Sequence, residues 1–285
     1  MVIKLKVTLA KTAGFCFGVK RAVDMVYKEA EKGSKVYTFG PIIHNEEVVD
    51  DLASKGVGLI HTIEELKGIT EGTIIIRSHG VSKEIYDIIK EQGLKLVDAT
   101  CPYVLKIHRV VKEHSELGHY IIIVGNDSHP EVEGIKGWCE NKNHSVIKNA
   151  DEIEHLKIPE GKTICIVSQT TYNYKKFQDL VEIISKKGYD IIVLNTICNA
   201  TEERQTEVRQ LAKESDAMII IGGKHSSNTQ KLYEISKLEC ENTYYIQTLR
   251  DLDLEKLQSF RSVGITAGAS TPNNIIKEVH TACQK

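Results

Sequence analysis

Three cysteines are each followed, 28 residues later, by a polar residue that lies just beyond a predicted strand. Each cysteine also follows an apolar strand-like run and precedes a segment with helical periodicity. A fixed interval between matched elements is the signature of an internal repeat, so one structural unit is predicted to occur three times. The three pairs are Cys16 and His44, Cys101 and His129, and Cys198 and Ser226.

Strand and helix patterns alternate along the whole chain. Tyr120–Val124 is a nearly pure run of Ile and Val, whereas residues 19–30 carry apolar positions at helical spacing. Such alternation predicts parallel sheets covered by helices. No Pro- or Ser-rich linker interrupts the 285 residues. We therefore expect an α/β fold of three pseudo-threefold-related lobes, spanning residues 1–97, 98–194 and 195–285.

Composition excludes several classes of protein. The net charge is −2 and the basic residues are dispersed, which argues against nucleic acid or an acidic membrane as the main partner. No apolar run approaches the ~18 residues of a membrane helix. The stretch Met1–Leu9 has no signal or transit pattern, so we expect a cytoplasmic protein. Seven cysteines without a Cys-x-x-Cys pair do not predict a disulfide framework there.

The three repeated cysteines are candidate metal ligands. In open α/β sheets ligands bind at the carboxyl ends of strands, where Cys16, Cys101 and Cys198 are all predicted to lie. Three thiolates suit an iron–sulfur cluster, with one iron left without a protein ligand for a substrate oxygen. A three-cysteine zinc site and three buried, apolar cysteines are the alternatives. Packing or surface roles are expected for Cys139, Cys165, Cys240 and Cys283.

Polar residues at predicted helix starts form a candidate anion site. Helix N-termini present free N–H groups and a partial positive charge, which together with imidazoles and hydroxyls suit a phosphate or diphosphate. The sequence contains neither a phosphate-binding P-loop nor a dinucleotide fingerprint. Each repeat is also predicted to contain a further strand that ends in a polar loop. Aligning these three loops matches His79 with Thr170 and Ser270, to within one residue. The candidate residues are His44, His79, His129, Thr170, Ser226, Ser227, Asn228 and Ser270.

Glu131 is the candidate proton source. It opens a predicted helix two residues after His129, in the same strand-end loop. A carboxyl group in that position can act as a general acid, although an ordinary first-turn helix acid occupies the same position. Thr170 can pass a proton or hold a water, or it can cap the helix that follows.

Eight short motifs, in order and across essentially the whole chain, resemble the 4-hydroxy-3-methylbut-2-enyl diphosphate reductase family. That family catalyses the last step of the non-mevalonate isoprenoid pathway. The motifs are Gly14-Phe-Cys-Phe-Gly-Val19, Ile43-His-Asn45, Arg77-Ser-His-Gly80, Asp98-Ala-Thr-Cys-Pro102, His129-Pro-Glu131, Ser168-Gln-Thr-Thr171, Ser226-Ser-Asn228 and Ala267-Gly-Ala-Ser270.

The resemblance implies a trefoil of three α/β lobes around one 4Fe–4S cluster per chain, held by Cys16, Cys101 and Cys198. It implies an allylic diphosphate substrate that loses its hydroxyl as water, giving isopentenyl and dimethylallyl diphosphates. Glu131 would deliver a proton with Thr170 as its hydroxyl partner, and a ferredoxin or flavodoxin would donate electrons. The diphosphate would be held by His44, His79, His129, Ser226, Ser227, Asn228 and Ser270.

Two other functions fit parts of this pattern. A lyase similar to quinolinate synthase also has three lobes and three cluster cysteines, but it acts on carboxylates. A non-catalytic iron–sulfur redox sensor needs neither a ring of anion-binding residues nor a buried acid. The three histidines and the Ser226-Ser-Asn228 motif favour the diphosphate reductase.

Overall fold

The structure is a computed structural model, and it describes residues 5–140 and 143–284. The chain forms two compact units that interleave along the sequence. The first unit comprises the described parts of Met1–Lys20, His44–Val48 and Asn199–Lys285. The second comprises the described parts of Arg21–Ile43 and Val49–Cys198.

The second unit contains two four-stranded parallel sheets. The first is built from β2 (Val36–Phe39), β3 (Val57–Ile60), β4 (Thr73–Ile76) and β5 (Lys95–Asp98), in the order β3-β2-β4-β5. Its connecting helices are α3 (Ile63–Lys67) and α4 (Lys83–Glu91). The Thr62 hydroxyl accepts a hydrogen bond from the Glu65 N–H at 3.1 Å, which caps α3 at its first turn.

The other sheet of the second unit repeats this plan. Its strands are β6 (Tyr120–Val124), β7 (His144–Ile147), β8 (Ile164–Ser168) and β9 (Ile191–Val193), in the order β7-β6-β8-β9. All residues of β6 and β8 are buried, as expected for central strands covered on both faces. The helices are α5 (Pro102–Glu116), α6 (Pro130–Lys136) and α7 (Tyr174–Ser185), with a 3₁₀ turn at Asp151–His155.

The first unit contains the third parallel sheet. Its strands are β1 (Lys6–Leu9), β10 (Ala217–Ile221), β11 (Thr243–Ile246) and β12 (Ser262–Ala267), in the order β1-β12-β10-β11. Its helices are α8 (Asn199–Lys213), α9 (Ser227–Glu239), α10 (Leu254–Leu257) and α11 (Asn273–Cys283), with a 3₁₀ turn at Leu249–Asp251. Helices α1 (Phe17–Ala30) and α2 (Glu46–Ser54) contain residues of both units.

The three sheets share one strand order, which confirms the α/β class and the threefold internal repeat of the topology. In two sheets the fourth strand follows the third along the chain. In the first unit that position is taken by β1, where Lys6 pairs with Ser262 and Leu9 with Ile265. The N-terminal strand therefore completes the sheet of C-terminal strands, whereas the sequence grouped it with residues up to 97. The lobe boundaries themselves remain a prediction.

The sequence predicted the central strands well and missed one strand in every sheet. The missed strands are β3, β7 and β11, which all lie at sheet edges. Each is only four residues long, and eight of their twelve residues are polar, aromatic, glycine or partly exposed. Strand β1 begins at Lys6, and residues 1–4 lie outside the described ranges.

Apolar residues of the sheets and helices form the cores. In the second unit, for example, Ile122 and Ile166 of neighbouring strands pack with Phe177 and Leu180 of α7. None of the helices in the described ranges combines the length and the apolar character that a membrane crossing requires.

Candidate active site

The three repeated cysteines occupy equivalent places in the topology. Each follows the fourth strand of a sheet and directly precedes a helix, which is α1, α5 or α8. Each also donates its backbone N–H to a carbonyl in the loop after the third strand of that sheet. The pairs are Cys16 with Ala269 at 3.3 Å, Cys101 with Ser78 at 2.9 Å, and Cys198 with Thr170 at 3.0 Å.

These hydrogen bonds define the register of the repeat. The acceptors Ser78, Thr170 and Ala269 each lie two residues beyond the end of the third strand. His79 is therefore equivalent to Thr171 and Ser270, and the alignment of Thr170 with His79 shifts by one residue.

The same three cysteines fit a role as thiolate ligands. Each is half-buried and lies at a helix start. The Val19 N–H donates to Cys16 Sγ at 3.5 Å. Burial raises the pKa of Cys139 and Cys165 to about 12 and that of Cys283 to about 11, which disfavours their thiolates. Cys16, Cys101 and Cys198 therefore fit a cluster better than Cys139, Cys165 and Cys283 do.

In the second unit, Glu131 is buried in the first turn of α6 and is held by Thr170. The Thr170 N–H donates to Glu131 Oε1 at 2.6 Å, and the Thr170 hydroxyl donates to Oε2 at 2.7 Å. Burial raises the pKa of Glu131 from 4.5 to about 7, and the two hydrogen bonds from Thr170 oppose that rise. The geometry brings together the predicted acid and its predicted hydroxyl partner, which are 39 residues apart in sequence.

Two of the predicted histidines lie side by side in the second unit. The rings of His79 and His129 have centroids 5.5 Å apart in an edge-to-face arrangement. His129 is buried and caps α6, where its Nδ1 accepts the Glu131 N–H at 3.1 Å. An Nδ1 that accepts leaves Nε2 to carry the ring proton, so His129 can donate a hydrogen bond to an anion.

In the first unit, three predicted residues meet at the start of α9. Ser226 caps this helix by accepting from the Thr229 N–H at 3.3 Å. The Ser270 hydroxyl lies 3.4 Å from the Ser226 hydroxyl and 3.2 Å from the carbonyl oxygen of His44. A side chain at Gly223 would place its Cβ 2.8 Å from that same carbonyl, so glycine allows the close approach.

Asn228 and Ser227 complete the helix start. Asn228 is 4% exposed, and within the described residues no group accepts a hydrogen bond from its Nδ2. A buried amide without an acceptor is costly, so a ligand oxygen at this point would relieve the cost. Ser227 is the first residue of α9 and is half-buried. The α9 start can therefore bind an anion through serine hydroxyls, an amide and helix N–H groups.

Two arginines that sequence reasoning missed support the cysteine loops. Arg21 donates to the carbonyls of Thr100 at 3.0 Å and Asp98 at 3.3 Å, just before Cys101. Arg204 is buried and donates to the Gly14 carbonyl at 2.6 Å, just before Cys16. The loop carbonyls that they contact lie 77 or more residues away in sequence, so no local pattern marks these contacts.

By its fold and candidate site, this is an α/β protein with three cysteines that directly precede helices, a helix start with polar groups suited to an anion, and a buried acid. The chain belongs to the family described as LytB protein, whose model matches residues 7–284. This confirms the family predicted from the eight motifs.

Two relatives of the chain carry the same named activity. The chain is 47% identical to the 4-hydroxy-3-methylbut-2-enyl diphosphate reductase of Thermoanaerobacter sp. (strain X514), over 96% of this chain and 95% of the relative. It is 46% identical to the reductase of Clostridioides difficile (strain 630), over 97% of this chain and 98% of the relative. Neither relative is a quinolinate synthase or a redox sensor.

Solved structures agree with the fold. The E-1-hydroxy-2-methyl-but-2-enyl-4-diphosphate reductase from Plasmodium falciparum matches with a TM-score of 0.90 at 28% identity, covering 96% of this chain and 86% of that one. A structure of (E)-4-hydroxy-3-methyl-but-2-enyl diphosphate reductase, described as the terminal enzyme of the non-mevalonate pathway, matches with a TM-score of 0.71. It is 43% identical and covers 98% of this chain and 99% of that one.

Proposed function

We propose that this chain reduces (E)-4-hydroxy-3-methylbut-2-enyl diphosphate to isopentenyl and dimethylallyl diphosphates, the last step of the non-mevalonate pathway. The observation that carries the proposal is 47% identity across 96% of the chain to a reductase of that name. Two electrons and two protons replace the C–OH bond with a C–H bond and release the hydroxyl as water. The predicted cytoplasmic location is part of this proposal.

The cysteines at the three helix starts are the proposed ligands of a 4Fe–4S cluster. When bound, the cluster supplies the electrons and a Lewis-acidic iron, chemistry that side chains do not offer. The half-buried positions of Cys16, Cys101 and Cys198, and the backbone hydrogen bonds that fix their loops, support this role. Arg21 and Arg204 hold the loops before two of these cysteines and are proposed as positioning residues.

The anion-binding residues are the proposed diphosphate site. The buried Asn228 amide, which has no acceptor among the described residues, and the neighbouring serine hydroxyls support binding at the α9 start. The His129 Nε2 proton supports binding in the second unit. The full proposed set is His44, His79, His129, Ser226, Ser227, Asn228 and Ser270.

Glu131 is the proposed proton donor and Thr170 its hydroxyl partner. A carboxyl with a pKa of about 7 is partly protonated at neutral pH, which matches the requirement for a general acid. The Thr170 hydroxyl lies 2.7 Å from Glu131 Oε2, within reach for proton transfer. Thr170 also accepts from the Cys198 N–H, so the acid is tied to one cysteine loop.

An anaerobic assay tests the proposed function. The reconstituted protein is supplied with reduced methyl viologen and the hydroxylated diphosphate, and both C5 products are quantified by chromatography. Viologen oxidation coupled to product formation is expected. The function would be contradicted if viologen were oxidised without formation of these products. It would also be contradicted if viologen oxidation did not exceed that of a cluster-free control. Quinolinate formation from carboxylate precursors is the readout for the lyase alternative.

A further inference from the structure

A buried histidine of α5, His108, has no part in the reaction described so far. It lies in the second unit and is 2% exposed, and within the described residues neither of its ring nitrogens forms a hydrogen bond. Burial lowers the pKa of His108 to about 4, although Asp98 opposes the shift, so the ring is neutral near pH 7. A buried imidazole without hydrogen-bond partners is costly to the fold. A histidine at this position therefore calls for a reason other than protein stability.

The ring of His108 fills the space directly behind Gly80, the residue after His79. Gly80 has a φ of +71°, and a Cβ at this residue would lie 2.5 Å from His108 Cε1 and 3.1 Å from Nε2. The ring also faces α6, since a Cβ at Gly134 would lie 3.5 Å from His108 Nε2. Because even one added carbon at Gly80 would collide with the ring, the place of the ring limits the place of the loop after β4.

Trp138 holds the His108 ring and the same loop together. Its indole stacks on the imidazole, with ring centroids 5.3 Å apart and an interplanar angle of 18°. The indole N–H donates to the carbonyl of Val81, the residue after Gly80, at 2.9 Å. The imidazole is therefore enclosed between Trp138 on one face and the Gly80 turn at its edge.

The loop is anchored on the other side of His79 as well. The Ser78 hydroxyl donates to the Ile42 carbonyl at 2.9 Å, and the Ser78 N–H donates to the same carbonyl at 3.2 Å. His79 and Gly80 thus form a short turn between two fixed points, and His108 supports this turn from behind. The His79 ring, whose centroid lies 5.5 Å from that of His129, follows the position of the turn.

We propose that His108 is a positioning residue, whose flat ring sets the place of Gly80 and thereby directs His79 toward the substrate diphosphate. The inference rests on the proposed function, because His79 belongs to the proposed diphosphate site. An imidazole suits this role, since a branched side chain is thicker than a flat ring and a six-membered ring is wider. The role concerns binding of the anionic diphosphate, and the proton and electron steps do not depend on it.

A double-mutant cycle in the cluster-loaded protein tests the proposal. Affinity for inorganic pyrophosphate is measured by calorimetry, and KM and kcat are measured with reduced methyl viologen as electron donor. His108→Ala is expected to weaken pyrophosphate binding and to raise KM by about tenfold, with kcat within about twofold of wild type. Gly80→Ala should do the same in the wild-type background. In the His108→Ala background it should add little, because the ring that its Cβ meets is gone.

A further variant and two controls separate positioning from general instability. His108→Phe leaves no cavity, and its wider ring should displace Gly80 and weaken pyrophosphate binding to a similar extent. Gly93→Ala makes the glycine replacement at a similar φ of +66°, where no other described residue lies within 4 Å of the new Cβ. Val111→Ala removes buried apolar contacts one turn along α5. Both controls should lower the thermal unfolding midpoint and leave pyrophosphate affinity at the wild-type value.

Several outcomes would overturn the positioning role of His108. They are wild-type pyrophosphate affinity in both His108 variants, additive effects of His108→Ala and Gly80→Ala, and a loss of affinity in Val111→Ala equal to that in His108→Ala. A fall in kcat at unchanged KM would also contradict the role. If the wild type showed no viologen-driven turnover while its pyrophosphate affinity still depended on His108, the proposed function alone would be refuted.

Discussion

Thr170 donates hydrogen bonds to both oxygens of Glu131, from its N–H at 2.6 Å and from its hydroxyl at 2.7 Å. Glu131 lies in the first turn of α6 and Thr170 lies two residues beyond the end of β8, both in the second unit. Burial dominates the electrostatics of the pair, because the pKa of Glu131 rises to about 7 despite both hydrogen bonds. A buried carboxyl that titrates near neutral pH is the feature of the site with the most testable consequences.

Replacement of the acid should abolish most turnover. Glu131→Gln keeps the size of the side chain but cannot release a proton, so we expect viologen-driven kcat to fall by about 100-fold or more. Cluster absorbance should be unchanged. Glu133→Gln, at an exposed position of the same helix, is the control and should retain activity. Wild-type turnover in Glu131→Gln would remove Glu131 from the mechanism.

Removal of the Thr170 hydroxyl should shift the pH profile. The hydroxyl hydrogen bond lowers the pKa of Glu131, so Thr170→Val should raise that pKa further above 7. Because the protonated acid is the active form, activity is lost as pH rises through the pKa of Glu131. The alkaline limb of the activity–pH profile should therefore lie at higher pH in Thr170→Val than in wild type. Thr170→Ser keeps a hydroxyl and should restore the wild-type limb. A limb that moves to lower pH in Thr170→Val would contradict this account.

Glu131 should also make stability depend on pH. Its folded pKa of about 7 lies above the ordinary 4.5, so the folded protein holds the proton more tightly than the unfolded chain. The stabilisation is complete below about pH 4.5 and is lost as pH rises through about 7, a change of about 3 kcal/mol. In urea unfolding of the cluster-free protein, the free energy of unfolding should fall with rising pH in wild type and in Glu133→Gln. It should change much less with pH in Glu131→Gln. Equal slopes in all three would refute it.

Loss of one repeated cysteine should remove the cluster. Cys101→Ser replaces a thiolate with a much poorer ligand, and visible cluster absorbance and bound iron should fall near-completely after anaerobic reconstitution. Cys283→Ala is the control, because Cys283 is buried in an apolar cluster and burial raises its pKa to about 11. An intact spectrum in Cys101→Ser would exclude this cysteine as a ligand.

The guanidinium of Arg21 should hold the Cys101 loop. Arg21→Met keeps the aliphatic length but leaves the carbonyls of Asp98 and Thr100 without their donor, a loss of about 1–3 kcal/mol in unfolding free energy. We also expect less iron per chain after reconstitution. Arg209→Met, at a half-exposed arginine 3.8 Å from Glu239, should change neither quantity. Iron retention equal to wild type in Arg21→Met would assign Arg21 to folding stability alone.

The central strands were predictable, and candidate site residues could be proposed, because their sequence signals are local. Tyr120–Val124 is apolar throughout, and the residues at strand ends carry their chemistry in short motifs such as Asp98-Ala-Thr-Cys-Pro102. The edge strands β3, β7 and β11 were missed because exposure on one side allows polar and glycine residues that weaken the pattern. The register at Thr170 needed the backbone hydrogen bond to Cys198, which sequence does not display.

The sequence by itself determined the threefold spacing, the α/β class, the family and the identity of the candidate residues, because each depends on residue types at short range. Only the tertiary structure decided that β1 completes the sheet of β10–β12 and that Thr170 holds Glu131. It also decided that Arg21 reaches the carbonyls before Cys101. These relationships join residues far apart in the chain, and their energies come from burial and hydrogen-bond geometry that exist only after packing.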